Sequence, residues 1–306
     1  MNVLIAGGSG FLGSNLTNQL LQNGHRVWIL SRNPERLYLP DGVTGVGWDA
    51  KTVAGWGHIV EEMDAVVNLT GENLASGIWT PARKNRFLSS RVDSGRAIVE
   101  AIRDAQRRPK VLLQSSAIGY YGNSEDRIVA EDSPAGEDFL SQLCILWEDS
   151  TRPVEHYGVR RIIIRTSPVF SKNSLILRMF MLPFKMFIGG KLGSGKQWVP
   201  WIHIEDQIGA ILHLMQNKKC NGPYNLAAPE LLRNVELEKT IAESLNRPYW
   251  LPVPAFALRI ALGEMSQMVL EGQRAVCTKL LKSGYTFKYP TLDSALSDIL
   301  SLPAFG

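Results

Sequence analysis

The chain has 306 residues, 45% of them hydrophobic and 20% charged, the composition of an ordinary globular protein with room for one large domain or two modest ones. A net charge of +4 is too small and dispersed to imply a nucleic-acid partner, and Arg103, Arg107, Arg108 and Lys110 read as a solvated helix end. Cys144, Cys220 and Cys277 are widely spaced with no Cys-x-x-Cys pair, so neither a disulfide framework nor a metal site is expected, and a reducing cytoplasm fits.

In chain order, residues 3–6 form a short apolar strand. It runs directly into Gly7-Gly8-Ser9-Gly10-Phe11-Leu12-Gly13. Leu12, Leu16 and Leu20 then recur at helical spacing. The apolar opening run is too short for a signal peptide. Strand, glycine turn and helix together make the context of a dinucleotide fingerprint. The glycines satisfy both Gly8-x-Gly10-x-x-Gly13 and Gly7-x-x-Gly10-x-x-Gly13. Such a turn lets backbone approach a pyrophosphate at the helix N-terminus. Gly7 and residues 9–13 are therefore expected cofactor contacts.

Asn23-Gly24 stops the helix, and residues 26–30 read as the second strand. At its end, an acidic residue would favour NAD by binding the ribose hydroxyls. Here Ser31-Arg32 stands instead, with Arg36 nearby, and a hydroxyl beside a guanidinium suits a 2′-phosphate. NADP is the expected cofactor. Residues 43–48 form a third strand and 64–69 a buried fourth. Leu69-Thr70-Gly71-Glu72 follows, where a glycine lets the cofactor pass close to the chain. A long helix opens at Pro81, with Phe87, Arg91, Gly95, Ile98 and Ile102 on one face. Arg91 is expected to meet either a phosphate or a structural carboxylate. Residues 110–116 form the fifth strand, ending in Ser115-Ser116.

From Ser115-Ser116 and Tyr120-Tyr121-Gly122 onward the motifs become specific. With the glycine cluster, Asn68-Leu-Thr-Gly71, Arg165…Val169 and Ile202-His203-Ile204-Glu205-Asp206, they follow the order of extended short-chain dehydrogenases. The chain resembles, more narrowly, an epimerase-like family within that group, sometimes labelled cell-division inhibitors. The shared features are Asn68 to Glu72, Trp147-Glu148, Gly193 to Gln197, Pro200 to His203 and a C-terminal extension. The resemblance covers nearly the whole chain. It implies a turn at Pro168-Val169 lying against the nicotinamide.

One part of the pattern breaks. Short-chain dehydrogenases use a Ser or Thr with a Tyr-x-x-x-Lys pair on one helix face, where the lysine lowers the tyrosine pKa. Without gaps, the usual serine position falls on Ala117. The helix expected over 139–156 carries Cys144-x-x-x-Glu148 at the dyad spacing instead. Glu148 is an anion and opposes ionisation of a phenol or thiol. Ser116, Tyr120, Tyr121, Cys144 and His203 remain the candidate proton carriers, with core packing the simpler reading of Cys144 and a structural one of His203.

Residues 159–169 read as the sixth strand. Residues 175–188 form an apolar helix and loop over the substrate cleft, interrupted by Arg178, Pro183 and Lys185 and so not a membrane span. The glycines from 189 to 195 suit a mobile lid that brings Lys196 and Gln197 to a polar substrate. Residues 224–227 return to the sheet, 234–245 form an amphipathic helix, and the extension over 252–302 is mostly helical with no chemistry assigned.

The expected fold is α/β: a Rossmann-type doubly wound parallel sheet with a smaller C-terminal α+β lobe. Residues 1–170, completed by segments around 203–230, would bind NADP; 171–202 and 231–306 would form the substrate side. The leading functional expectation is an NADP-dependent, epimerase-like oxidoreductase acting on a small, polar, nucleotide-sugar-like molecule. The alternative is a catalytically silent NADP-binding regulator or scaffold. The expected partner is a small-molecule substrate, with no nucleic acid and no membrane; a homodimer is left open.

Overall fold

A computed structural model of the chain describes residues 1–301; the final residues of the extension, 302–306, lie outside the described residues. Strands β1 (Asn2–Ala6), β2 (Arg26–Ser31) and β3 (Val43–Gly47) alternate with α1 (Phe11–Gln22) and a short 3₁₀ turn. Then come β4 (Ala65–Asn68), α2 (Pro81–Asp104), β5 (Val111–Ala117), β6 (Ile128–Val129), α3 (Phe139–Asp149) and β7 (Arg160–Thr166). The second half holds β8 (Val169–Phe170), α4 (Leu175–Lys185), β9 (Ile202–His203), α5 (Ile204–Gln216), β10 (Gly222–Leu226) and α6 (Asn234–Ser244). The extension adds α7 (Ala255–Leu262), α8 (Gln267–Leu270), β11 (Arg274–Ala275), α9 (Thr278–Lys282) and α10 (Leu292–Ser301).

Seven strands form one sheet in the order β10-β7-β5-β4-β1-β2-β3, every pair parallel. The sheet is doubly wound as expected. The order reverses between β1 and β4, and in such sheets ligands bind outside the carboxyl ends at that reversal. Alternation along a strand explains the two layers. Val3 and Ile5 enter one core with Leu16, Leu20 and residues of α5, while Leu4 and Ala6 enter the other with Ile98, Ala101 and Ile102 of α2. No helix among the described residues is long and apolar enough to cross a membrane.

Three elements differ from the sequence expectation. The helix over 139–156 ends at Asp149, and a 3₁₀ turn takes up Arg152–Tyr157. Pro153 cannot donate to the preceding turn, so the helix stops before it. The strand over 159–169 breaks after Thr166, because Pro168 interrupts the ladder; Val169–Phe170 pairs instead with Ile202–His203. The glycine loop at 189–195 is strapped down rather than free. Leu192 N donates to Asn234 Oδ1 at 3.2 Å, Gly193 N to Val253 O at 2.9 Å and Val235 N to Gly195 O at 3.0 Å. The side chain of Gln197 is spent on the carbonyls of Leu192 and Val269.

The extension is knitted to the sheet domain. β11 pairs in parallel with β6. Buried Asp206 accepts from Tyr285 Oη and from the backbone of Lys288 and Tyr289.

Candidate functional site

The glycine turn is shaped for backbone to come close. Gly7 adopts φ +82°, and a Cβ on Gly13 would lie 2.3 Å from Gly7 O. Only glycine fits there, so α1 starts tight against β1. Gly10 caps α1 with extended backbone and no side-chain hydrogen bond, which leaves the first-turn N–H groups for an anion. Ser9 and Phe11 are exposed, and Leu12 is half-buried. At the end of β2, Ser31 Oγ accepts from Asn33 N. Arg32 is exposed and makes no hydrogen bond or ion pair among the described residues. These groups fit a dinucleotide carrying a 2′-phosphate.

Beyond β4, Thr70 Oγ1 donates to Asn68 Oδ1 and lies 2.9 Å from Ser94 Oγ. Asn68 Nδ2 donates to Gln114 on β5. Leu69 is half-buried and Gly71 exposed, and Glu72 pairs with Arg86 at 3.4 Å. Arg91 has no carboxylate partner among the described residues. Its Nη1 donates to Phe87 O and its Nη2 to Glu72 O, and the guanidinium sits 4.7 Å over the Trp147 ring. Burial lowers its pKa to about 10.

Three of the candidate proton carriers, Ser116, Tyr120 and Tyr121, are drawn into a second network. Register places Ser116 of β5 directly beside Arg165 of β7, on the face covered by α3. Ser116 Oγ donates to Glu148 Oε1 at 2.6 Å. Arg165 grips the same carboxylate with two nitrogens, at 2.9 and 3.0 Å. Its third nitrogen donates to Tyr121 Oη at 2.9 Å, and Tyr121 donates onward to Asn225 Oδ1 at 2.7 Å. The guanidinium also stacks 3.4 Å from the Tyr120 ring centroid. Arg165 and Glu148 are both buried. Burial works against the arginine's charge, but the hydrogen bonds and charge of Glu148 outweigh it and hold the group firmly protonated. Tyr121 is pushed up to about 12, chiefly by burial and against the pull of Arg165.

Cys144 lies one turn before Glu148, with Sγ 3.8 Å from Ala117 O. Burial, then the Glu148 charge, push its thiol up to about 12, so it is neither a ready nucleophile nor an acid near neutral pH. His203 stands apart from these groups. It is 2% exposed, tilted 4.0 Å against the Tyr289 ring, and 3.4 Å from Asp298 of α10. Burial, opposed by Asp298, lowers its pKa. It helps fasten the extension to α5.

Between these networks lies a cavity of about 190 Å³ at the carboxyl edge of β5 and β7. Ala117 at the end of β5 lines it with Ile118 and Gly119 of the turn that follows, Thr166 at the end of β7 with Pro168 just beyond, and Arg91, Cys144 and Trp147 from the helices. Asp138, Gln267, Glu271 and Gln273 line it too. These four carried no chemistry in the sequence reading. The available signals were Asp138 at a helix start and the polar residues flanking Gly272. Ser115 is buried on the opposite face of β5, beside Ile164. Val169 is buried just beyond the Pro168 wall.

The comparisons fit this architecture. Residues 3–227 match the pattern of the NAD dependent epimerase/dehydratase family, and residues 253–299 match a domain of unknown function, DUF1731. Epimerase family protein YfhF of Bacillus subtilis (strain 168) is 38% identical over 302 residues, 98% of either chain. The crystal structure of human epimerase family protein SDR39U1 (isoform 2) with NADPH is 31% identical with a TM-score of 0.86, over 99% of this chain and 100% of that one. UDP-glucose 4-epimerase of Thermotoga maritima, solved with UDP-glucose, shares the fold at a TM-score of 0.78 and 16% identity, over 98% and 97% of the two chains. A parallel doubly wound sheet, a glycine turn at its reversal and a match from residue 3 to residue 227 place this chain in the NAD dependent epimerase/dehydratase family, with a DUF1731 extension.

Proposed function

We propose that the chain is an NADP(H)-binding, epimerase-like oxidoreductase of the extended short-chain dehydrogenase type. It works on a small polar molecule without the Ser-Tyr-Lys set. The observation that carries the cofactor choice is Ser31-Arg32 at the end of β2, an exposed guanidinium with no partner among the described residues. The NADPH bound to the human relative supports it. Gly7, Ser9, Gly10, Phe11, Leu12 and Gly13 would hold the pyrophosphate, Leu69 to Glu72 and Ser115 would flank the adenosine-to-nicotinamide path, and Pro168 and Val169 would back the ring. The bound cofactor supplies hydride transfer; the chain's residues orient it and exclude water. Three free, buried thiols are compatible with a reducing cytoplasm.

A second reading has its own observation. Ser116 and Tyr121 are committed to Glu148, Arg165 and Asn225, and this favours a silent NADP(H)-binding regulator. One experiment separates the two. The full chain is titrated with NADPH by tryptophan fluorescence, then mixed with aldehydes, ketones and sugar nucleotides while the reduced nicotinamide absorbance is followed. The enzyme reading predicts saturable binding and consumption with at least one carbonyl compound. Tight binding without turnover, unchanged by Ser116→Ala or Cys144→Ala, selects the regulator. Absence of binding defeats both.

A further inference from the structure

Helix α4 carries apolar side chains on two opposite faces. Leu177, Met181 and Phe184 point inward and pack with Phe170, Trp201 and Leu237. Leu175, Met179, Leu182 and Met186 recur at i, i+4, i+7 and i+11, a stripe along the other face, and each is more than half exposed. The stripe runs into Phe187 and Ile188, also exposed. Phe187 stands at φ +62°, just past the helix end, where glycine is the usual residue. An aromatic side chain is held there at a cost and turned to solvent.

The segment before α7 extends the same face. Trp250 Nε1 donates to Phe187 O at 2.9 Å, and Trp250 N to Gly189 O at 3.0 Å. Val253 N donates to Lys191 O at 2.9 Å, and a Cβ on Gly193 would lie 3.7 Å from that of Ala255, so α7 starts beside the loop that follows α4. Trp250 is 63% exposed. No residue of α7 is buried, and its Phe256 and Ile260 are exposed. Apolar exposure this continuous marks a contact surface, not a scatter of single residues.

The charges on this face have one sign. No Asp or Glu occurs over 156–204 or 244–263. Of the carboxylates bordering these runs, Glu155, Glu205 and Glu264 are paired with Arg161, Lys288 and Lys84, while Glu243 makes no ion pair among the described residues. Arg178 and Lys185 are exposed, lie on one edge of the α4 stripe, and make no ion pair among the described residues. Lys191 is exposed in the next loop, and Arg247 stacks 4.6 Å over the Phe187 ring. A second copy of the chain would set these cations against one another across a two-fold axis. An anionic lipid surface complements them, and exposed Trp, Phe, Leu and Met side chains suit the boundary between headgroups and acyl chains.

We propose that this face docks peripherally on a membrane bearing anionic lipids. Helix α4 lies in the plane of the interface, its outer stripe, Phe187 and Trp250 among the acyl chains and Arg178, Lys185 and Lys191 at the headgroups. The expectation of no membrane partner came from the lack of a spanning segment, which a helix lying in the interface does not need. Because α4 also borders the cleft through Ile176, docking brings the cleft close to the lipid.

The test mixes the full chain with vesicles of phosphatidylcholine, alone or with added phosphatidylglycerol, and measures the fraction that sediments with them. Sedimentation velocity without lipid gives the oligomeric state. Binding to the anionic vesicles is expected, weakening as salt rises, and about tenfold weaker binding to the neutral ones. Met186→Gln with Phe187→Asn, the asparagine being tolerant of left-handed backbone, should weaken binding about tenfold. Arg178→Gln with Lys185→Gln should weaken it roughly thirtyfold. All four positions are exposed, so melting temperatures should match wild type. Failure to bind, equal binding to neutral vesicles, or binding unchanged in either double variant would overturn the proposal. So would a dimer formed without lipid that Met186→Gln with Phe187→Asn dissociates, which would give the face to a second copy.

Discussion

Arg165→Met is expected to lower the melting temperature by roughly 10 °C, the consequence of losing about 4 kcal/mol in a chain of this size. The methionine fills much of the same space but leaves Glu148 buried, with only Ser116 to donate to it. It also strips Tyr121 of a donor and Tyr120 of a stacked cation. Removing one member of a buried pair costs far more than the pair itself contributes. The double variant Glu148→Leu with Arg165→Met should therefore recover most of the loss, and thermal unfolding of the three proteins measures both effects. A small change in the single variant would mean that Glu148 gives up its charge or finds water, contrary to its place in that network.

Arg32→Ala is expected to weaken NADPH by about 2 kcal/mol, roughly thirtyfold, and NADH by roughly twofold or less. The asymmetry follows from what the guanidinium would touch. A 2′-phosphate accepts two charge-assisted hydrogen bonds from the planar fork, whereas the NAD ribose offers only hydroxyls. Fluorescence titration of each cofactor against wild type and variant gives the two ratios. An equal loss for both cofactors would detach Arg32 from the 2′-phosphate.

The sheet was legible because its signals are local. Apolar runs ending at Gly7-Gly8, Ser31-Arg32, Thr70-Gly71 and Ser115-Ser116 locate β1, β2, β4 and β5 to within a residue or two. The glycine spacing likewise reports a steric demand carried by adjacent residues, seen in the 2.3 Å approach of a Gly13 Cβ to Gly7 O. Proline was underweighted twice, at Pro153 and Pro168, where a periodic pattern continues past a residue that cannot donate. The site was less legible because its partners are distant in sequence. Glu148 looked like a free anion opposing Cys144. Seventeen residues on, Arg165 neutralises it, and only the β5–β7 register makes that pairing visible. Glu271 reaches the cleft through the close pass at Gly272, which depends on the backbone at Trp198, more than seventy residues earlier in the chain. His203 and Arg91 show the same limit: their neighbours Tyr289, Asp298 and Glu72 O are set by packing, not by spacing.

The central claim is that NADP(H) binds at the glycine turn while Ser116, Tyr121, Glu148 and Arg165 stay locked behind the cleft. A crystal structure of the full chain grown with NADPH tests it most directly. The account predicts the pyrophosphate at the N-terminus of α1, the 2′-phosphate on Arg32, the nicotinamide against Pro168 and beside Cys144, and the Glu148–Arg165 pair unbroken. A nicotinamide hydrogen-bonded by Tyr121, a Glu148 turned into the cleft, or a 2′-phosphate remote from Arg32 would contradict it.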